Sequence, residues 1–169
     1  MNSLWSPWRS QYVGSSDERE KGECFLCRCA AQPEPTFDNL VVARFTSTMV
    51  VMNRYPYNAG HLLIAPYEHQ GELTALSTLQ SHELMDVLSL AVRVTQEVLK
   101  PQGCNVGANL GSVAGAGVPN HLHLHTVPRW LGDTNFMPTV ADTKVMSQSM
   151  EDLWRRWKIA IFFAGAQVL

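Results

Sequence analysis

Three of the six histidines fall at alternate positions, His121, His123 and His125, with Leu122 and Leu124 between them. On an extended chain successive side chains point to opposite faces, so the imidazoles share one face and the leucines the other. A leucine face belongs in a core. An imidazole face has to line something polar, because each buried ring nitrogen needs a partner. Two chemistries suit it. A His-x-His pair can hold a metal, its same-face residues standing about 6.5–7 Å apart. Alternatively, imidazoles can bind and attack a phosphoryl group as nucleophile, donor and proton shuttle. The neighbours favour the phosphoryl reading. Residues 126–130 are Thr-Val-Pro-Arg-Trp, with no acid before Asp133, and Arg129 suits an anion. Upstream, Gly111, Gly115 and Gly117 in GSVAGAG allow backbone amides to approach a phosphate, although no Gly-Lys-Ser/Thr follows to make a P-loop.

A second cluster comprises Cys24, Cys27 and Cys29, three of the four cysteines. Cys24-x-x-Cys27 has a common zinc spacing but needs two further ligands; a redox pair or two small buried residues fit it equally. Cys29 and Cys104 carry no second feature and read as packing residues or free thiols, and His82 reads as solvated.

Around these residues the chain has the composition of a core-forming domain: 169 residues, 46% hydrophobic and 17% charged. That excludes disorder for the bulk of the chain. A net charge of −2 argues against a nucleic-acid partner. No signal peptide or membrane span is visible, since the most apolar stretch, residues 159–169, is too short to cross a bilayer and reads as a docked tail or an interface. No membrane partner and a cytoplasmic location are therefore expected. Residues 1–39 read as an irregular N-terminal extension carrying the cysteine pair, 40–138 as the core domain, and 139–169 as a C-terminal helical tail. Within the core, residues 40–45, 48–53 and 61–66 read as strands. Ser77 and Gln80 form a capping-box signature opening a helix with Leu84, Val87, Leu88, Ala91, Val94 and Val98 on one face, ended by Lys100-Pro101 and Gly103. Two more strands are expected near 105–110 and 121–127. A last helix over 150–162 would put Leu153, Trp154, Trp157 and Ile161 on one face. This pattern predicts an α+β fold with a mostly antiparallel sheet, one long helix and a C-terminal helix.

His121-Leu-His123-Leu-His125-Thr-Val127 resembles the signature of the histidine-triad (HIT) family. Further matches are Asn53-Arg-Tyr-Pro56 before Gly60-His61, Pro66-Tyr-Glu-His69, and Val127-Pro-Arg129. The flanks, Leu4-Trp-Ser-Pro-Trp-Arg9, Asn105-Val-Gly-Ala-Asn-Leu-Gly111 and Arg129-Trp130 with Gly132 to Pro138, resemble its bacterial diadenosine-tetraphosphate phosphorylase-like branch. The resemblance spans nearly the whole chain and implies a HIT-like fold and a homodimer whose sheets join into one. It implies that His123 is the nucleophile, attacking the α-phosphorus of an adenosine nucleotide or dinucleoside polyphosphate to form a nucleotidyl-histidine that phosphate or water then releases. His125 would hydrogen-bond the transferring phosphate or bridging oxygen, His61 would orient the triad, and His121 completes it. Asn53 matches a ribose-binding position and Asn109 an amide near the phosphates; Trp130 is a base-stacking candidate or a packing residue. Ala116-Gly117-Val118-Pro119 replaces a Ser or Gln that many relatives carry, which leaves Gly115, Gly117 and their neighbours' amides to contact the leaving group. His69 and His121 match ligand positions of zinc-containing members, so Cys24, Cys27, His69 and His121 are the expected structural zinc set, with magnesium as a companion of the substrate phosphates. The alternatives are a nucleotide-binding regulatory protein with vestigial catalysis, and a metalloenzyme using the three-histidine face.

Overall fold

The computed structural model describes residues 24–134, 145–146 and 148–165. The expected motif at 4–9 and most of the 132–138 flank lie outside the described residues. Helix α1 (Phe25–Ala31) leads into strands β1 (Val41–Arg44), β2 (Thr48–Met52) and β3 (Leu62–Pro66). A single 3-10 turn at Leu73–Ala75 precedes helix α2 (Thr78–Leu99), followed by β4 (Gly103–Ala108), β5 (Leu124–Arg129) and helix α3 (Met150–Gly165). The five strands make one antiparallel sheet in the order β1-β2-β3-β5-β4.

Every residue of β2 and β3 is buried, which is why Met49-Val-Val-Met52 and Leu62-Leu-Ile-Ala65 are continuous apolar runs without alternation. α2 starts at the expected capping box, the Ser77 side chain accepting from the Gln80 backbone and the Gln80 side chain from that of Ser77. It ends at Lys100, which itself takes the left-handed conformation (φ 48°). Leu84, Val87, Leu88, Ala91 and Val94 are all buried along its expected face. α3 docks through Leu153, Trp157 and Ile161, each at most 3% exposed, and Trp154 Nε1 donates to the Val41 carbonyl at 2.7 Å. Among the described residues of the apolar tail, Ile161 is docked while Ile159, Phe162 and Phe163 are exposed.

Three expectations need correction. Residues 25–31 are helical rather than irregular: Leu26 and Cys29 are buried, and the Arg44 guanidinium caps the helix end through the carbonyls of Cys29, Ala30 and Gln32. The strand expected at 121–127 begins only at Leu124, because His121 N–H turns back to the Val118 carbonyl and Leu122 N–H pairs with the Gln70 carbonyl beyond the end of β3. The strand expected near 105–110 lies at 103–108, its register set by Gly103 opposite Arg129 and Gly107 opposite His125.

Candidate active site and metal centre

Four of the six histidines gather where β3, β5 and the approach to β5 meet. Gly60, at φ +82°, sits against Leu99 and Trp157 and turns the chain into β3, burying His61 at its start. His125 lies on β5 opposite Leu63 and Gly107. His123 precedes it, its ring centroid 5.0 Å from that of His125. Gly71 keeps the histidine segment in place: a Cβ there would stand 2.5 Å from the Pro119 carbonyl oxygen, so only glycine admits the approach of that loop.

Backbone groups decide which nitrogen of each imidazole carries its proton. Tyr57 N–H donates to His61 Nδ1 at 3.1 Å. The proton of neutral His61 is therefore on Nε2, which lies 2.9 Å from His125 Nδ1 and donates to it. His125 in turn carries its proton on Nε2. His123 Nδ1 is 2.8 Å from the His121 carbonyl, which only accepts, so Nδ1 is protonated and Nε2 keeps its lone pair. His121 Nε2 donates to the Pro66 carbonyl at 2.9 Å, leaving Nδ1 as a lone-pair donor. Burial favours the neutral form of His61, His121 and His123. It pushes His61 down to about 3, aided by His125 and His123, and it lowers His121 and His123 as well. The row thus presents a bare nitrogen on His123 beside an N–H on His125, which is the pairing that attack on phosphorus with donation to an oxygen requires.

The Cys24, Cys27, His69 and His121 donor atoms all lie within 4.8 Å of one another. His121 Nδ1 is 3.4 Å from Cys24 Sγ and 3.5 Å from Cys27 Sγ, and His69 Nδ1 is 3.2 Å from Cys27 Sγ. Tetrahedral zinc, with bonds of about 2.3 Å to sulfur and about 2.05 Å to nitrogen, would set S···N at about 3.6 Å. Two thiols and two imidazoles at this spacing fit such an ion. The Pro66 carbonyl on His121 Nε2 is the usual outer partner of a metal-bound imidazole. His123 and His125 are not in this group.

Among the other expected site residues, Asn53 sits beside the row, its Nδ2 3.3 Å from His61 Nδ1 and its Oδ1 accepting from Tyr55 N–H at 2.9 Å. Asn109 Nδ2 donates to the Gly115 carbonyl at 3.2 Å, closing the glycine turn in which Gly115 has φ +87°. Gly117 is half-buried in the same turn. Trp130 is half-buried, and its backbone N–H points to Asp133 at 3.3 Å. Tyr57 was not singled out by the sequence; its ring lies over His61 and His125, centroids 4.7 and 5.9 Å away. The signal available was a Pro-Tyr-Asn turn four residues before His61, which spacing alone does not connect to the triad. Asp133 was noted only as the first acid after the triad. It binds Arg129 at 2.6 Å and Asn58 at 2.7 Å, and the guanidinium holds its carboxyl well below the usual carboxylate range.

Comparison with known proteins places the chain in a family. The family model described as HIT domain matches residues 34–130. An AP-4-A phosphorylase of Mycobacterium tuberculosis is 38% identical over 164 residues, covering 92% of this chain and 82% of that protein. An adenosine 5'-monophosphoramidase of Schizosaccharomyces pombe is 27% identical over 106 residues, covering 63% of this chain and 74% of that protein. Among solved structures, a Zn-bound histidine triad family protein from Mycobacterium smegmatis shares the fold with a TM-score of 0.67 at 23% identity, over 86% of this chain and 97% of that one.

Proposed function

The chain belongs to the HIT domain family, and from that premise we propose that it cleaves dinucleoside polyphosphates such as diadenosine tetraphosphate, or related adenosine nucleotides, by way of a nucleotidyl group carried on His123. The observation that carries this reading is the His123 ring: its Nδ1 proton is tied to the His121 carbonyl, so the Nε2 lone pair is the nucleophile. Nε2 forms a bond to the α-phosphorus while the bond from phosphorus to the bridging oxygen breaks. His125, made a donor at Nε2 by the His61–His125 bond, hydrogen-bonds that leaving oxygen. Phosphate or water then attacks the same phosphorus and returns the electron pair to His123. Splitting one displacement into two lowers the barrier of each, and burial helps by keeping the imidazole neutral near pH 7. Asn53, beside His61, is suited to ribose hydroxyls; Asn109 and the amides around Gly115 and Gly117 are suited to phosphate oxygens. Trp130 is kept as a candidate base contact.

Cys24, Cys27, His69 and His121 would hold a structural zinc, which would fix the segment leading into His123 and do no chemistry on the substrate. Magnesium would arrive bound to the substrate phosphates. The outer strand β4 has five of its six residues exposed, and an open edge of this kind supports a homodimer in which two sheets continue across it. No helix among the described residues is long and apolar enough to cross a membrane, and none of the four cysteines is joined in a disulfide to another described residue; a cytoplasmic enzyme is the reading that fits both.

Product analysis with diadenosine tetraphosphate tests the reading. ADP plus ATP formed only when inorganic phosphate is present identifies phosphorolysis, and AMP plus ATP without it identifies hydrolysis. No cleavage under either condition refutes the proposal.

A further inference from the structure

Water competes for the hydrogen bond from His61 Nε2 to His125 Nδ1, and one residue outside the triad guards that bond on two sides. The Tyr57 backbone N–H reaches His61 Nδ1 at 3.1 Å. The Tyr57 ring has its centroid 4.7 Å from that of His61 and 5.9 Å from that of His125, inclined to them at 37° and 21°. One aromatic plane therefore spans both imidazoles, whose own centroids are 5.1 Å apart. The next residue anchors the turn: Asn58 is buried, and its Nδ2 donates to the Pro128 carbonyl at 3.0 Å and to Asp133 Oδ2 at 2.7 Å. That ties the turn of Tyr57 to the strand of His125. A cavity of about 390 Å³ is lined by Tyr57 and His125 but not by His61, which is 1% exposed, so these two rings stand between His61 and water.

Charging His61 would undo this arrangement. A second proton would sit on Nδ1, facing the Tyr57 amide and, at 3.3 Å, the Asn53 side-chain Nδ2, donors both. The titratable groups that act on His61 are His125 and His123, and both oppose a charge on it. Asp133, the acid lining the same cavity, is engaged by Arg129 and Asn58 instead. Dryness thus favours neutral His61 with Nε2 as the donor.

We infer that Tyr57 is a positioning residue for the nucleotidyl transfer: its amide aims His61, and its ring keeps water from the His61–His125 bond, so that His125 presents Nε2–H to the leaving oxygen. This role rests on the proposed reaction, yet the seal itself is read on the resting protein, so the two fail separately.

Nuclear magnetic resonance of the full chain with isotope-labelled histidine reads the ring protons at about pH 7. An imidazole N–H gives a resolved signal only when it is shielded from exchange with water. Wild type and Tyr57→Phe should therefore show His61 Nε2–H, and Tyr57→Ala should lose it. As pH falls, His61 should stay neutral to at least about pH 4.5 in wild type and Tyr57→Phe, whereas in Tyr57→Ala its midpoint should climb above that value toward 6.5. With diadenosine tetraphosphate, kcat of Tyr57→Ala should drop about tenfold or more while KM stays within about twofold, and Tyr57→Phe should match wild type. Tyr57→Val takes the place of Tyr57→Ala if the latter fails to fold. A wild-type protein without the His61 signal overturns the inference. So does a Tyr57→Ala or Tyr57→Val protein that keeps the signal, or one whose loss lies in KM alone, which would make Tyr57 a substrate contact. A chain with the expected signals that cleaves no diadenosine tetraphosphate would uphold the seal and overturn the activity.

Discussion

Gly60→Ala joins the fold to the site, and its cost can be worked from the surroundings of that residue. Gly60 has φ +82°, where an alanine is disfavoured by roughly 1–2 kcal/mol. The added Cβ would stand 2.5 Å from Leu99 Cδ1 and 2.8 Å from Trp157 Cη2. Trp157 is fully buried and cannot swing aside, so the core must give way at a further cost of roughly 1–3 kcal/mol. The sum is about 2–5 kcal/mol. Urea unfolding followed by tryptophan fluorescence should show a lower midpoint at an unchanged slope. Turnover of diadenosine tetraphosphate should fall as well, because the displaced residue adjoins His61. Gly103→Ala is the matched control. Gly103 is in a strand without a positive φ and with open space around it, so alanine there should stabilise by about 0.5–1 kcal/mol. If Gly60→Ala unfolds within about 1 kcal/mol of wild type at the same slope, the reasoning from close approach and backbone conformation is wrong.

Replacing the proposed nucleophile, His123→Ala, should lower turnover by at least about a thousandfold while nucleotide binding stays measurable by calorimetry; retained turnover would remove His123 from that role. Metal analysis of purified protein should find zinc in wild type and in His123→Ala but not in Cys24→Ser or Cys27→Ser, and a chelator should lower the unfolding temperature of the first two only. His61 is held neutral to about pH 3, against 6.5 when unfolded, so its share of stability is complete above pH 6.5 and is lost as pH falls toward 3. Between pH 7 and pH 5 that loss is roughly 2 kcal/mol, and His61→Gln should flatten the difference between the urea-derived unfolding free energies at those two values by this amount. Asn58→Ala removes the donor to the Pro128 carbonyl and to Asp133, and should destabilise by about 1–3 kcal/mol in the same unfolding assay.

Local signals carried much of the fold into the sequence. The capping box at Ser77 and the helical recurrence of Leu84 to Val94 act within a few residues of one another, so α2 was legible from its own stretch. The buried runs in β2 and β3 were legible because central strands need no alternation. Helix α1 was not. It has seven residues and no side-chain cap at Cys24, and it is held by burial of Leu26 and Cys29 and by Arg44, a residue of β1. The start of β5 was equally hidden, because what keeps His121 and Leu122 out of the ladder is pairing with Val118 and Gln70.

By itself, then, the sequence determined which chemistry was within reach: His-x-His-x-His and Cys-x-x-Cys are statements about donor atoms, and their types survive any folding. It could not say which nitrogen of each ring would be free. That was decided by the carbonyls of His121 and Pro66 and the amide of Tyr57, which tertiary packing brings to Nδ1 of His123, Nε2 of His121 and Nδ1 of His61. Nor could spacing divide the triad. His121 turns to two cysteines more than ninety residues away in sequence, and His125 to His61 across a sheet contact. An imidazole takes its role from the partner of its other nitrogen, and for these rings only the assembled fold supplies that partner.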